Sequence, residues 1–161
     1  MAELSSDDYV HLAHAIALSR EHMQAGAGGP FGAVIVRDGT VLAEGWNQVT
    51  STNDPTAHAE VTAIRRACQA VGSFALTGAT LYTSCEPCPM CLASAYWARV
   101  SRIVFANTRV DAAAIGFDDQ MLYDEIPKPV SERQIPTIHA PTAEARGVFA
   151  EWMSKVDKIA Y

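Results

Sequence analysis

The sequence predicts a three-layer α/β domain with a central mixed sheet. Short apolar runs alternate with longer segments whose apolar residues recur at helical spacing, which is typical of parallel strands joined by helices. Two of the runs are separated instead by Asp38-Gly39, a strong hairpin signal, so one edge of the sheet is expected to be antiparallel. The chain has 161 residues, of which 49% are apolar, and this is enough for one domain with a substantial core.

The first element is a helix from Ser5 or Ser6 to about Ala25. A serine cap followed by two acidic residues suits the positive end of a helix dipole. The glycine-rich segment 26–30 ends this helix. It matches neither G-x-G-x-x-G nor the Walker A pattern, so we interpret it as a tight connection. The apolar residues that recur at helical spacing are Val10, Ala13, Ile16, Ala17 and Met23.

The predicted hairpin and a second helix follow. Residues 31–37 and 41–46 are the two antiparallel strands, and residues 47–53 are expected to form a polar loop. Residues 54–56 have the features of a helix start, and this helix continues to Val71, just before a glycine. Its apolar face consists of Val61, Ile64, Ala67 and Cys68.

A strand, a helix and another strand complete the predicted sheet. The strands are residues 79–84 and 102–106, and the helix between them runs from about Cys88 to about Ala98. Because a helical crossover joins the two strands, they should be parallel.

The pattern is weaker beyond Thr108. Residues 111–115 and 120–125 are expected to be short helices on either side of a loop, 116–119. Residues 126–141 carry four prolines and are predicted to form an extended arm. Thr142 can cap a last helix with Val148, Trp152 and Val156 on one face.

Charge and cysteine content narrow the class of function. The net charge is −6, so the chain lacks the overall attraction for phosphate backbones that a nucleic-acid partner favours. No secretory signal or membrane span is visible in the sequence. Four cysteines without a signal peptide indicate a reducing compartment, where metal or catalytic roles are commoner than disulfides. We therefore expect a cytoplasmic protein without a membrane or nucleic-acid partner.

Two motifs carry the chemistry of the chain. One is H-x-E at residues 58–60 and the other is P-C-x-x-C at residues 87–91. Together they offer His58, Cys88 and Cys91 as zinc ligands, and three protein ligands leave the fourth position of a catalytic zinc for water. A structural zinc would need a fourth ligand, for which Cys85 is the candidate. We interpret Cys85 as a packed residue instead, because it ends a strand ahead of the proline that starts the helix.

Glu60 is the candidate acid–base group. Its spacing from His58 can bring the carboxylate near a metal-activated water without making it a ligand. A simpler interpretation, a first-turn glutamate that offsets the helix dipole, does not explain the neighbouring ligands. Phe31 and Asn47 flank the hairpin and could line a pocket, the ring by stacking on a base and the amide by hydrogen-bonding it. His11, His14 and His22 share one helix and have no metal-ligand partner nearby in the sequence.

These residues resemble the cytidine deaminase-like superfamily, and longer segments resemble its bacterial guanine deaminases. The resemblance covers residues 8–126 closely and the remainder loosely. The segments that carry it are 29–34 (GPFGAV), 53–60 (NDPTAHAE), 81–88 (LYTSCEPC) and 116–119 (GFDD).

The resemblance implies the cytidine deaminase-like α/β/α fold and the hydrolytic deamination of guanine to xanthine and ammonia. One zinc ion per subunit would be held by His58, Cys88 and Cys91, with Glu60 as the proton shuttle. Asp119 would be a second catalytic group that meets the 2-amino group. The implied substrate-binding residues are Asn47, Phe31, Phe117, Ala59 and Tyr161. Residues 1–161 would be one deaminase domain, in which residues 126–161 form an arm and helix that a homodimer exchanges between subunits.

Three alternatives remain open at this stage. A tRNA adenosine deaminase shares both motifs, but the net charge and the GFDD segment argue against it. A deaminase of aminotriazines such as ammeline would use a similar pocket. A zinc-stabilised binding module, the alternative that is not an enzyme, would require Cys85 as the fourth ligand.

Overall fold

The computed structural model describes residues 3–161. The chain forms two compact units, Met1–Asp119 and Gln120–Tyr161. The strands are β1 Gly32–Arg37, β2 Thr40–Trp46, β3 Thr80–Cys85 and β4 Arg102–Asn107. The helices are α1 Ser6–Gln24, α2 Val49–Thr52, α3 Ala59–Val71, α4 Pro89–Trp97, α5 Arg109–Ala114, α6 Gln120–Glu125 and α7 Ala143–Ser154, with one 3-10 turn at Val130–Glu132.

The four strands form one mixed sheet in the order β2-β1-β3-β4. β1 pairs antiparallel with both β2 and β3, while β3 and β4 are parallel. Asp38 and Gly39 join β1 to β2 with φ angles of 52° and 72°, the left-handed conformation that a two-residue hairpin of this kind requires. The predicted mixed sheet, its antiparallel edge and its parallel pair are thus confirmed.

Helices cover both faces of the sheet and make three layers. Side chains alternate along β1, so Ile35 joins the core under α3 and α4, and Val34 joins the core under α1. The first core includes Ala63, Ala67, Leu81 and Ala95. The second includes Ala15, Leu18, Tyr82 and Val104. The predicted three-layer architecture is confirmed.

The buried face of α1 differs from the apolar pattern that indicated the helix. Val10, Ala13, Ile16, Ala17 and Met23 are all exposed, whereas the buried residues are Asp8, Ala15, Leu18 and Ser19. Two tertiary constraints turn the helix this way. The Asp8 carboxylate accepts hydrogen bonds from Tyr82 and Arg102 on the sheet, both at 2.7 Å. β1 also approaches α1 so closely at Gly32 that a Cβ there would lie 2.3 Å from the Ala15 carbonyl oxygen.

The predicted start of the second helix is wrong by a few residues. α3 begins at Ala59 rather than at residues 54–56, and the expected polar loop before it contains the short helix α2. The Asp54 side chain accepts hydrogen bonds from the Thr56 backbone N–H (2.8 Å) and hydroxyl (2.7 Å), which makes a local turn there instead of a helix.

The second unit contains two helices and the proline-rich segment. α7 starts after Thr142, whose side chain accepts from the Ala145 N–H, so this predicted cap is confirmed. The helix ends at Ser154, so Val156, expected on one of its faces, lies beyond it. Within residues 3–161, no helix combines the length and the apolar character needed to cross a membrane.

Candidate active site

Two helix N-termini bring the metal-ligand motifs together. His58 is the N-cap residue of α3 and Cys88 is the N-cap residue of α4, with Cys91 in the first turn of α4. Pro89 occupies the first turn, where its missing N–H leaves no helical hydrogen bond unmade. Because α3 and α4 pack side by side on the same face of the sheet, their first turns lie next to each other.

The three ligand atoms are spaced for a tetrahedral metal ion. His58 Nδ1 lies 3.6 Å from Cys88 Sγ and 3.5 Å from Cys91 Sγ, and the two sulfurs are 3.6 Å apart. Zinc bonds of roughly 2.0–2.3 Å in a tetrahedron place neighbouring ligands roughly 3.5–3.8 Å apart. Among the described residues, only this trio forms such a group. The donor set therefore fits zinc with one coordination position left over.

The ionisation of the two thiols also favours a cation. The hydrogen bond with Cys91, helped by His58, lowers the pKa of Cys88 to about 4. The same bond and burial raise the pKa of Cys91. The hydrogen bond with Cys88 raises the pKa of His58. A cation bound between the two sulfurs stabilises both as thiolates.

Glu60 lies in the first turn of α3, beside this cluster. The residue is 6% exposed, and its carboxylate accepts from the Thr83 hydroxyl at 3.3 Å. Its other oxygen lies 3.4 Å from Cys91 Sγ. Burial raises the pKa of Glu60 above its usual value, so this carboxyl can take up and release a proton more readily at neutral pH than an exposed one.

Cys85 is not part of the ligand group. It is the last residue of β3 and is buried, with its sulfur 3.6 Å from the Thr108 carbonyl oxygen. Burial raises the pKa of this thiol to about 11. Its position agrees with the interpretation as a packed residue.

A cavity of about 390 Å³ opens in front of the metal group. The cavity brings the predicted metal-site residues and the predicted substrate-binding residues together. Its lining includes His58, Glu60 and Cys88 from the first group and Phe31, Asn47, Phe117 and Asp119 from the second. This volume is in the range of small-molecule sites.

Asn47 is held in one orientation. It follows β2, is 6% exposed, and its Oδ1 accepts from the backbone N–H groups of Gly29 and Val49, each at 3.2 Å. Since both donors bind the oxygen, the amide NH2 is the end that is left to donate into the cavity. The glycine connection makes this arrangement possible, because a Cβ at Gly28 would lie 2.5 Å from Asn47 Oδ1.

Two aromatic rings form a wall of the cavity. Phe31 and Phe117 meet edge to face with centroids 4.9 Å apart. Phe117 is 46% exposed, and it lies against Gly29, where an added Cβ would be 3.1 Å from its ring. The pair offers both a flat surface and an edge to a planar ligand.

Asp119 lies in the loop after α5 and lines the cavity. Burial and the negative charge of Cys88 raise the pKa of this carboxyl, and Arg109 opposes the effect. An acidic group with a raised pKa on the cavity wall suits hydrogen bonding or proton exchange with a substrate amine.

One of the predicted residues does not line the cavity, and another belongs to the second unit. Ala59 is fully buried as the first residue of α3 and is not among the lining residues. Tyr161 belongs to the second unit and is 72% exposed.

Other residues of the cavity lining were not predicted from the sequence. Glu86 accepts a hydrogen bond from the Arg109 backbone N–H at 3.0 Å, and both residues line the cavity with Thr50. Arg109 has one recognisable feature in the sequence: it is a cation in the first turn of a helix, where a positive charge opposes the helix dipole, which can indicate a functional residue.

Comparison with known proteins gives three matches that each span more than half of the chain. Residues 5–107 match the family described as the cytidine and deoxycytidylate deaminase zinc-binding region. Guanine deaminase from Bacillus subtilis (strain 168) is 52% identical over 150 residues, which cover 93% of this chain and 96% of that protein. The X-ray structure of Bacillus subtilis guanine deaminase superimposes with a TM-score of 0.94 at 49% identity, covering 98% of this chain and 99% of that one.

One match to a tRNA adenosine deaminase covers a shorter part of the chain. The tRNA-specific adenosine deaminase from Agrobacterium fabrum (strain C58) is 49% identical over 76 residues, which cover 47% of this chain and 50% of that protein. The similarity to this enzyme thus extends over about half of each chain.

Proposed function

The chain belongs to the family of the cytidine and deoxycytidylate deaminase zinc-binding region, and we propose that within this family it is a zinc-dependent guanine deaminase. One observation carries the reaction class: three ligand atoms spaced for tetrahedral zinc adjoin a cavity that also holds a buried glutamate. The assignment of guanine as the substrate rests on the similarity to guanine deaminase along nearly the whole chain.

His58, Cys88 and Cys91 would hold the zinc. Zinc lowers the pKa of a water molecule that it binds toward about 7, and so supplies a nucleophile at neutral pH. The three protein ligands leave room for that water, which a closed structural site with a fourth cysteine would not.

Glu60 moves the protons. The reaction forms a C2–O bond and breaks the bond between C2 and the 2-amino nitrogen, so guanine and water become xanthine and ammonia. Glu60 takes a proton from the attacking water and gives it to a ring nitrogen, and its raised pKa suits both directions of transfer. Asp119 meets the 2-amino group, accepts the second proton of the added water from the C2 hydroxyl as the C2=O bond forms, and passes it to the departing nitrogen.

The remaining cavity residues orient the base. The Asn47 amide donates to an acceptor on the purine, away from the carbon that reacts. Phe31 and Phe117 cover the planar ring system. Such contacts position C2 beside the metal group without taking part in bond making.

We also propose that the enzyme is a homodimer in which residues 126–161 pass to the second subunit, with Tyr161 as a substrate contact. α7 supports this assignment, because none of its residues is buried and Phe149 and Met153 are 77% and 72% exposed. Light scattering on the purified chain checks it: a dimer is expected, and a stable monomer with full activity would contradict the proposal.

The experiment that tests the function is ammonia release from a panel of guanine, guanosine, ammeline, cytosine, cytidine and adenine. Zinc-loaded protein should deaminate guanine far faster than the other compounds, and xanthine should appear in the same amount as ammonia. Ammeline turnover at a rate equal to that of guanine would assign the chain to the aminotriazine class, and no turnover of guanine would overturn the proposal.

A further inference from the structure

Trp46, which immediately precedes Asn47, is part of a stack of aromatic and cationic side chains. Trp46, the last residue of β2, contacts two side chains from different helices. The His22 ring of α1 is stacked on it with centroids 3.6 Å apart and planes inclined by 7°. The Arg66 guanidinium of α3 lies on the indole ring, 4.3 Å from its centroid. Such cation–π and stacking contacts hold a ring in one orientation.

Arg66 contacts the chain on both sides of Asn47. One guanidinium nitrogen donates to the Glu44 carbonyl oxygen at 3.0 Å. The other donates to Gln48 Oε1 at 3.4 Å. One side chain therefore contacts the residues three before, immediately before and immediately after Asn47.

The same helix carries the catalytic end of the site. α3 begins after His58 and holds Glu60 in its first turn, and Arg66 follows on the same helix. β2 and α3 touch closely at Gly45, where an added Cβ would lie 2.2 Å from the Ala59 carbonyl oxygen. Arg66 thus links the segment that presents Asn47 to the helix that presents Glu60.

We propose that Arg66 is a positioning residue for substrate binding, which fixes the Asn47 amide relative to α3 by holding Trp46 and Gln48. The proposal rests on the proposed function for its substrate. Arg66 does not line the cavity, so its effect on the base must pass through Asn47.

Removal of this link should affect binding more than chemistry. Asn47 contacts a part of the base that does not change bonds, so its loss weakens the ground state and the transition state alike. For Arg66→Met we expect KM to rise about tenfold while kcat changes less than about twofold and bound zinc is unchanged. Arg66→Lys keeps the charge but not the planar group, so its KM should lie between that of the wild type and that of Arg66→Met.

A double-mutant cycle with Asn47→Ala tests the route of the effect. If Arg66 acts through Asn47, Arg66→Met should have little further effect on KM in the Asn47→Ala background. Equal effects of Arg66→Met in both backgrounds, or an unchanged KM in the single variant, would overturn the proposal. Arg20→Met, an exposed cation on α1, is the control for loss of charge and should leave KM unchanged.

A structural role alone would give a different result. It would lower the melting temperature and the active fraction, and so reduce kcat per chain with KM unchanged. If Arg66→Met fails to fold, Trp46→Leu removes the same Arg66–Trp46 contact by changing the other partner. The cycle with Asn47→Ala is then measured with Trp46→Leu. The cycle uses whichever base of the panel the wild type deaminates, so failure on guanine counts against the proposed function and additivity counts against the role of Arg66.

Discussion

The metal end and the base end of the cavity are built from different kinds of structure. At the metal end, His58 and Cys88 cap two helices, and Cys91 and Glu60 lie in the first turns and are 0% and 6% exposed. At the base end, Asn47 follows a strand, and Phe117 lies in a loop after α5 and is 46% exposed. Helix termini packed on a sheet hold their side chains rigidly, whereas loops vary more in conformation.

This contrast suggests that the two ends of the cavity have different functions. In the proposed function, the buried helix termini provide the zinc ligands and the proton carrier that hydrolytic deamination requires. In the proposed function, the connections around them select the base. Changes at the metal end should therefore remove activity altogether, and changes at the base end should alter rate or KM with zinc still bound.

The largest effect is expected from removal of a metal ligand. Cys88→Ala should lose zinc and lower guanine turnover by a factor on the order of 10³ or more, because the nucleophile is no longer generated. Metal analysis and ammonia release on the same sample check this. Cys85→Ala is the matched control; its sulfur lies 3.6 Å from the Thr108 carbonyl oxygen and outside the ligand group, so zinc should remain. Zinc loss in Cys85→Ala would show that the site has four ligands.

A smaller effect is expected at the acidic group of the base end. Asp119→Asn keeps the shape but cannot exchange a proton, so kcat on guanine should fall on the order of 10²-fold with zinc content unchanged. Asp118→Asn, the neighbouring change in the same loop, should reduce kcat much less. Equal rates for Asp119→Asn and wild type would remove Asp119 from the reaction.

The aromatic wall should contribute less again. Phe117→Leu keeps an apolar side chain but loses the edge-to-face pair with Phe31, so KM should rise roughly two- to tenfold, as expected for about 0.5–1.5 kcal/mol. Steady-state kinetics measure the change. Phe105→Leu is a control of similar exposure, 43%, on β4, and a comparable rise in its KM would make the Phe117 effect nonspecific.

The smallest effect on turnover is expected from the Asp8 ion pair, which lies outside the cavity. Arg102 and Tyr82 hold the pKa of Asp8 well below its usual value. This carboxylate therefore stabilises the fold above the unfolded pKa of about 3.9, and the stability is lost as the pH falls below it. Asp8→Asn should lower the free energy of unfolding at pH 7 by about 1–3 kcal/mol and weaken its fall in acid, with kcat unchanged. An unaltered pH dependence of unfolding would contradict this role.

The order of elements and the metal end were predictable from the sequence, because both depend on local spacing. Helical and strand periodicity gave the mixed sheet, and the two motifs gave His58, Cys88 and Cys91. The buried face of α1 was not predictable, since Asp8 pairs with a residue 94 positions away. A local side-chain turn at Asp54 likewise displaced the start of α3.

The base end was harder to predict for the same reason. Asn47 and Phe31 were recognised by their place beside the hairpin, but Phe117 and Asp119 came only from the resemblance, because loop residues have no periodicity. Arg109 and Arg66 were missed. Their importance depends on tertiary contacts, such as the stack on Trp46, that no spacing in the chain reveals.

The proton carrier of the metal end is the most direct test of the account. Zinc per chain and guanine turnover should be measured on one preparation of Glu60→Gln, which keeps the size of the side chain but cannot move a proton. We expect one zinc per chain, as in the wild type, and turnover lower by a factor on the order of 10³ or more. A zinc-loaded Glu60→Gln protein that turns over guanine at a rate near that of the wild type would contradict the account.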